Sequence, residues 1–292
     1  GFIGSNLVDE LIRQGHKVLV IDNLSGGKKE NTNPKCKFFK RDICDYKSVK
    51  PLFKNIDYVF HLAALPRVQY SIENPLETNE TNVVGTLNVL KASHEAGVKK
   101  VIYSASSSVY GDQKKFPLKE ILIAQPKSPY GLQKYIGELY CRVWTQVYGL
   151  PTVSLRYFNV YGPRNNPDGA YALVIGKFLK QRKEGKPLTI TGDGNQTRDF
   201  TNVRDVVRAN ILAMDSLKVG KGEVVNIGAG KNQSINKIAK LIGGPIEYIP
   251  ARFEPHDTLA DNSLAKKLLG WKPQVSIEKG IAELKVLAGL KS

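Results

Sequence analysis

The sequence predicts an α/β fold: a doubly wound parallel sheet joined to a smaller α+β lobe. Two patterns predict it. Apolar strand-like runs alternate with helix-length stretches in the first half of the chain, which marks βαβ units and a parallel sheet. After about residue 163 the loops lengthen, and short strands mix with helices.

A helix-length stretch at residues 5–14 comes first. Residues 17–22 form a continuous apolar run ending in an acid, as a buried parallel strand does. Residues 36–43 read as a second, more amphipathic strand, and residues 57–64 as a third. Residues 100–104 and 152–157 are the fourth and fifth, with helices at 82–96 and 128–148 between them. Right-handed crossovers then wind the sheet in both directions. In the second lobe, strands are expected at 188–191, 223–227 and 246–249. Helices are expected at 236–242, 264–269 and 277–287. Residues 1–163 with about 200–230 are expected to form the larger unit, and about 164–199 with 231–292 the smaller.

The 292 residues carry 43 Lys+Arg against 27 Asp+Glu, a net charge of +16. The 41% hydrophobic and 24% charged content is that of a packed globular chain and argues against disorder. No apolar run approaches the ~20 residues of a membrane helix. Cys36, Cys44 and Cys141 lack metal or redox spacing. They read as reduced thiols, which places the protein in the cytoplasm with no metal site. The basic residues are scattered and not interleaved with aromatics, which argues against nucleic-acid binding.

Gly1-Phe2-Ile3-Gly4 has the form of the second half of a G-x-x-G-x-x-G turn. Such glycines let backbone approach a pyrophosphate, and the helix N-terminus that follows faces the phosphates. Asp22 ends the next strand 18 residues after Gly4. That suits the acid that takes ribose hydroxyls, and it favours NAD over NADP because a 2′-phosphate would be repelled. In a Rossmann sheet the strand before this turn is central. An apolar strand and Gly-x-x are therefore expected upstream in the natural gene, and without them the sheet would have an open slot.

Ser128-Pro129-Tyr130 opens a helix well: Ser128 is a good N-cap and Pro129 a good first residue. Tyr130 and Lys134 then lie at i and i+4 on one face. A nearby ammonium favours phenolate, so Tyr130 suits a general base. Upstream, Ser104, Ser106, Ser107 and Ser108 crowd the C-terminal end of a strand, where open α/β sheets bind ligands.

Gly-Phe-Ile-Gly-Ser, Asp22-Asn-Leu-Ser-Gly, Asp42-Ile43, His61-Leu-Ala-Ala64, Ser106-Ser-Ser-Val-Tyr-Gly111, Tyr130-x-x-x-Lys134 and Arg156-Tyr-Phe-Asn159 occur in that order. Together they resemble the extended short-chain dehydrogenase/reductase family, in particular its UDP-hexose 4-epimerases. The resemblance spans essentially the whole chain. It implies NAD as cofactor, a UDP-sugar as substrate, and Ser106, Tyr130 and Lys134 as the catalytic group. It implies that Gly1, Phe2, Ile3 and Gly4 form the phosphate turn, and that Asp22, Asn23 and Ser25 contact the adenosine ribose side. Asp42 and Ile43 would flank adenine. Leu62, Ala63 and Ala64 would line the pyrophosphate and nicotinamide ribose, which Lys134 would also hold. Asn82 would position the substrate diphosphate or the cofactor side, and Tyr157 and Phe158 would sit by the nicotinamide. Ser106 and Ser108 would face the sugar. Asn159, Arg198 and Arg252 would take the sugar diphosphate. The family commonly dimerises through two helices per subunit, here residues 83–96 and 128–148.

Ser107 and Ser108 stand where related dehydratases and decarboxylases carry a carboxyl group before Val-Tyr-Gly. That leaves epimerisation, which needs nothing beyond the Ser-Tyr-Lys group and NAD. Asn165-Asn-Pro-Asp-Gly-Ala-Tyr-Ala172 and Ser71-Ile-Glu-Asn-Pro75 resemble epimerases of N-acetylated hexoses. Thr258 fills the place where a bulky aromatic would restrict the pocket. UDP-GlcNAc/UDP-GalNAc interconversion is expected beside UDP-Glc/UDP-Gal. The stretch Arg67 to Pro75 also resembles UDP-glucuronate 4-epimerases, but Asn159 replaces the Thr expected there. A second class stays open, the non-catalytic NAD(P) sensors of this fold. Those typically lose the Tyr/Lys pair, which this chain keeps.

Overall fold

The computed structural model describes residues 1–167, 173–250 and 257–290. Helix α1 (Phe2–Arg13) begins directly at the glycine turn and leads to β1 (Leu19–Asp22), β2 (Lys37–Lys40) and the short α2 (Tyr46–Val49). Next come β3 (Tyr58–His61), α3 (Val68–Glu73) and α4 (Pro75–Asn79). A π-helical turn over Glu80–Val84 joins α4 to α5 (Gly85–Glu95). Strand β4 (Lys100–Ser106) precedes the long α6 (Pro129–Tyr148), then β5 (Thr152–Tyr157) and β6 (Val160–Tyr161). Helix α7 (Val174–Lys183) and β7 (Leu188–Thr191) follow, then β8 (Thr197–Asp199), β9 (Thr201–Asn202), α8 (Val203–Asp215) and β10 (Lys221–Ile227). The chain ends with β11 (Asn232–Ser234), α9 (Ile235–Ile242), β12 (Ile246–Ile249), α10 (Ser263–Leu269) and α11 (Ile277–Leu287).

The main sheet is parallel throughout, in the order β10-β5-β4-β3. Among the described residues, a separate parallel pair, β1-β2, joins it through no ladder. Strands β1 and β3 both line one cleft. The main sheet is covered on both faces, as the expected doubly wound class requires. Ile102, Val153, Leu155 and Val225 pack with Leu7 and Leu11 of α1 and Val206 and Val207 of α8. Val101, Tyr103 and Ala105 point the other way, to Leu90 of α5 and Cys141 of α6. The alternation within β4 is the two-residue period of a strand buried on both sides.

A second core joins Tyr161, Ile175, Phe178, Leu188, Ile190, Ile238, Ile242 and Ile281 under β7 and β12. Helix α10 and Trp271 pack instead into the first core. Trp271 Nε1 donates to the Asp205 carbonyl, and the Asp205 carboxylate accepts from the backbone of Gln274 and Val275. These bonds fasten residues 271–275 to the first turn of α8. At the other end of α8, the buried Lys100 Nζ donates to the carbonyls of Ala213, Met214 and Ser216 at 2.7–3.0 Å. A buried ammonium thus satisfies the last carbonyls of a helix, where the macrodipole favours positive charge. Among the described residues, no helix is long and apolar enough to cross a membrane.

Candidate active site

One large cleft, about 1910 Å³, is lined along the whole of β1 and β3 and by the C-terminal ends of β4 and β5. The reacting groups come from β4 and α6. Ser128 caps α6 through a bond from Gly131 N, and Pro129 occupies its first turn. This start sets Tyr130 and Lys134 on the face that meets the end of β4. Both are buried, and both line the cleft with Ser106.

Ser106 Oγ accepts from Ser108 N at 3.2 Å and from Ser108 Oγ at 2.9 Å. A hydroxyl has two acceptor positions and one proton. With both acceptors engaged, the Ser106 proton is left to donate. Burial raises the Tyr130 pKa to about 12, opposed first by the Ser106 hydrogen bond and then by the Arg67 guanidinium. Lys134 is lowered to about 8, chiefly by burial. Its Nζ donates to the Ser104 carbonyl at 2.8 Å and lies 4.9 Å from the centre of the Tyr103 ring. That bond holds Lys134 at the end of β4, one turn beyond Tyr130 on the same helix.

At the other end of the cleft, α1 starts without a side-chain cap, and a Cβ on Gly4 would meet open space. The Gly1 nitrogen lies 3.3 Å from Asp22 Oδ2, so turn and acid are adjacent. Free helix N–H groups beside a strand-end carboxylate fit a pyrophosphate and the ribose next to it. Gly1, Phe2, Ile3, Gly4, Asp22, Asn23, Ser25, Ile43, Leu62, Ala63 and Ala64 all line this part. Asp42 acts at one remove: its carboxylate accepts from Asn23 Nδ2 and Cys44 N.

Two expected contacts are placed elsewhere. Asn82 is buried off the cleft; its amide accepts from Leu65 N and donates to the Leu65 carbonyl and Gln133 Oε1. It therefore holds the 62–65 loop against α6. Phe158 is fully buried, packed with Val109, Tyr110, Leu118 and Ala260, because the β5 pleat sends Tyr157 to the cleft and its neighbour inward. Tyr157 lines the cleft, and its hydroxyl bridges Ser104 Oγ and Asn210 Oδ1.

Asn159, Arg198 and Thr258 line the same cleft. Thr258 Oγ1 accepts from Asn159 Nδ2 and from Asp199 N, both at 3.2 Å. The Asp199 carboxylate accepts from the backbone of Ala229, Gly230 and Ala260. Burial still raises its pKa, to about 6. That clasp fixes the segment that carries Thr258. Arg252 and residues 168–172 of the Asn165–Ala172 stretch lie outside the described residues. Sequence reasoning missed the supporting bonds of Ser71 to Tyr130 N and of Gln133 to Asn82. The π turn, which places Asn82 opposite α6, has no sequence signal of its own.

Residues 1–228 match the NAD-dependent epimerase/dehydratase family. The crystal structure of the UDP-glucose 4-epimerase of Thermotoga maritima with UDP-glucose is 42% identical and superposes with a TM-score of 0.92. It covers 96% of this chain and 93% of that one. A UDP-N-acetylglucosamine 4-epimerase from Methanobrevibacter ruminantium, in complex with UDP-N-acetylmuramic acid, is 39% identical with a TM-score of 0.92, over 97% and 93% of the two chains. The UDP-glucuronate 4-epimerase of Thermodesulfobacterium geofontis is 37% identical over 96% of this chain and 91% of its own. This chain is a member of the NAD-dependent epimerase/dehydratase family, and NAD is its cofactor.

Proposed function

We propose that this enzyme inverts C4 of a UDP-hexose, taking UDP-Glc/UDP-Gal and UDP-GlcNAc/UDP-GalNAc. The observation that carries the reading is that Ser106, Tyr130 and Lys134 line one cleft at the strand end, with Ser108 bonded to Ser106 where a dehydrating enzyme would need a carboxyl group. NAD, when bound, supplies the hydride acceptor and donor at C4. Tyr130 takes the O4 proton as the carbonyl forms and returns it after the sugar has turned over. Ser106 holds O4 in place. Lys134 fixes the nicotinamide ribose from the same helix. Arg198, with Arg252, pairs with the diphosphate, to which a guanidinium fork is suited. Relatives acting on UDP-glucose, UDP-N-acetylglucosamine and UDP-glucuronate are all similar to the chain, so family likeness alone leaves the sugar open.

In this reading residues 1–163 with about 200–230 hold NAD, and about 164–199 with 231–292 hold the nucleotide sugar. The enzyme works in the cytoplasm, where its three free cysteines stay reduced. It forms a homodimer through residues 83–96 and 128–148. The test is incubation with UDP-Gal, UDP-GalNAc and UDP-glucuronate, followed by chromatography of the products. Conversion of the first two, abolished in Tyr130→Phe, is expected. Conversion of UDP-glucuronate alone would overturn the sugar assignment, and no conversion of any would overturn the reading.

A further inference from the structure

Tyr103 stands in the middle of β4 and is fully buried. The strand pleat sends it, with Val101 and Ala105, to the α6 side of the sheet. Two residues of α6 meet it there. Lys134 Nζ lies over the ring face, 4.9 Å from its centre. Almost one turn on, Gly137 leaves room for the phenol, because a Cβ at that position would collide with the Tyr103 hydroxyl. Among the described residues that hydroxyl has no hydrogen-bond partner. A glycine inside a helix and an unpaired buried hydroxyl both disfavour folding. What the arrangement supplies is a π face under a buried cation, an attraction that strengthens where water is excluded.

The Ser104 carbonyl takes one of the three Lys134 protons at 2.8 Å. Burial keeps His61 of β3, Tyr157 of β5, and Tyr130 and Cys141 of α6 neutral. It keeps Tyr103 neutral too, so the ring offers its face and not an anion. Glu138 of α6 is forked to Arg156 of β5. From α3 and α4, Glu73 accepts from Gln69 and Glu77 from Tyr70. Arg67, ahead of α3, is a second cation lining the cleft.

We propose that Tyr103 is a positioning residue for the reaction: its ring face holds the Lys134 ammonium at the end of β4 and keeps it charged. The catalytic consequence rests on the 4-epimerase reading, in which Lys134 fixes the nicotinamide ribose and its charge favours the Tyr130 phenolate. Tyr103 is shut in the core and acts through Lys134.

The test follows the side-chain resonance of Lys134 against pH in NAD-loaded protein carrying isotope-labelled lysine, the signal being assigned by its loss in Lys134→Met. Burial already lowers the Lys134 pKa to about 8. In Tyr103→Leu, and with a fluorinated phenylalanine replacing Tyr103, the midpoint should fall by about one further unit, a tenfold shift in the proton equilibrium. Tyr103→Phe keeps the ring and should keep the wild-type midpoint. Fluorination drains the negative ring face while nearly preserving its shape, so it separates electrostatics from packing, and it decides alone if Tyr103→Leu fails to fold. The alkaline limb of kcat/KM for a neutral UDP-hexose should move down by the same unit in the same two proteins. An unmoved midpoint with the fluorinated ring, an equal fall in Tyr103→Phe, or a shifted midpoint with an unmoved limb would overturn the proposal. The midpoint is read without substrate, so it stands apart from the underlying reading, which wild-type turnover lost in Tyr130→Phe tests separately.

Discussion

Asn82 Nδ2 donates to Gln133 Oε1 at 2.8 Å, one residue before Lys134 on α6. The same amide holds both backbone groups of Leu65, and Gln133 donates on to Thr78. The loop expected to line the nicotinamide ribose is thus fastened to the helix that carries the base. Asn82→Ala would leave the half-buried N–H and C=O of Leu65 and the buried Gln133 Oε1 unpaired. Each such group costs about 1–3 kcal/mol. Denaturant unfolding should show a loss of roughly that size, and NAD affinity should fall more than affinity for the sugar. Stability lost with NAD affinity intact would make Asn82 part of the scaffold only.

Glu138 lies one turn beyond Lys134 and forms a two-pronged ion pair with Arg156 at 2.7–2.8 Å, both side chains buried. The guanidinium also stacks 4.6 Å from the Tyr110 ring centre, and Tyr110 donates to Asn226 on β10. Burial opposes the Arg156 charge, but Glu138 outweighs it and holds its pKa above the ordinary value. Removing one partner leaves a buried charge uncompensated, so Glu138→Ala should cost about 3–5 kcal/mol. Replacing both with methionine should cost less than either single change. Denaturant midpoints of the four proteins decide it, and strictly additive losses would refute the coupling.

His61 ends β3 with Nε2 2.9 Å from Thr86 Oγ1. Burial, and secondarily Lys134, push its pKa down to about 3. The unfolded chain binds the proton near pH 6.5 and the native state does not, so stability is full above 6.5 and falls as pH drops towards 3. At 1.36 kcal/mol per unit the loss is on the order of 5 kcal/mol. His61→Gln should flatten that acid slope in a series of thermal unfolding curves. An identical slope in wild type and variant would assign it to other groups.

The main-sheet strands and α6 were legible because their patterns are strong: fully buried strands are apolar runs, and Ser-Pro announces a helix start. Helix α8 was not. Its buried face carries Asp205 and Asn210, which serve Trp271, Gln274 and Tyr157 and break the apolar period. Helix α7 was masked by Lys177, Lys180, Arg182 and Lys183 in ten residues. The strand read at 36–43 shrinks to Lys37–Lys40, exposed at both ends. The Tyr130/Lys134 pair was readable from spacing, and Ser106 from the family resemblance. The Ser71 bond to Tyr130 N was not, because it joins two helices far apart in sequence.

Helix α6 exposes Leu132, Leu139, Val143 and Val147 along one side, at intervals of seven, four and four. That spacing makes a continuous apolar stripe on a helix. Ile72 and Leu76, on α3 and α4, are exposed as well. A stripe of this kind suits the four-helix contact of a homodimer. On the proposed homodimer, Val143→Glu should leave a monomer in sedimentation velocity. A wild-type monomer at micromolar concentration would rule the contact out.

Thr258 stands in the cleft with its hydroxyl held by Asn159 and Asp199, and its backbone N–H bonded to the Thr197 carbonyl. Its Cβ direction is therefore fixed by three bonds, and the space beyond is set by side-chain size. A small residue there leaves room for a 2-acetamido group, whereas a tyrosine ring would fill it. Thr258→Tyr removes an acceptor for Asp199 N but leaves the three backbone bonds to the Asp199 carboxylate. The segment should therefore hold its place. Turnover of UDP-GalNAc should fall about 10- to 200-fold, the equivalent of the 1–3 kcal/mol that pocket steric fit discriminates, while UDP-Gal turnover changes little. Equal loss on both substrates would mean that residue 258 supports the clasp and does not select the sugar.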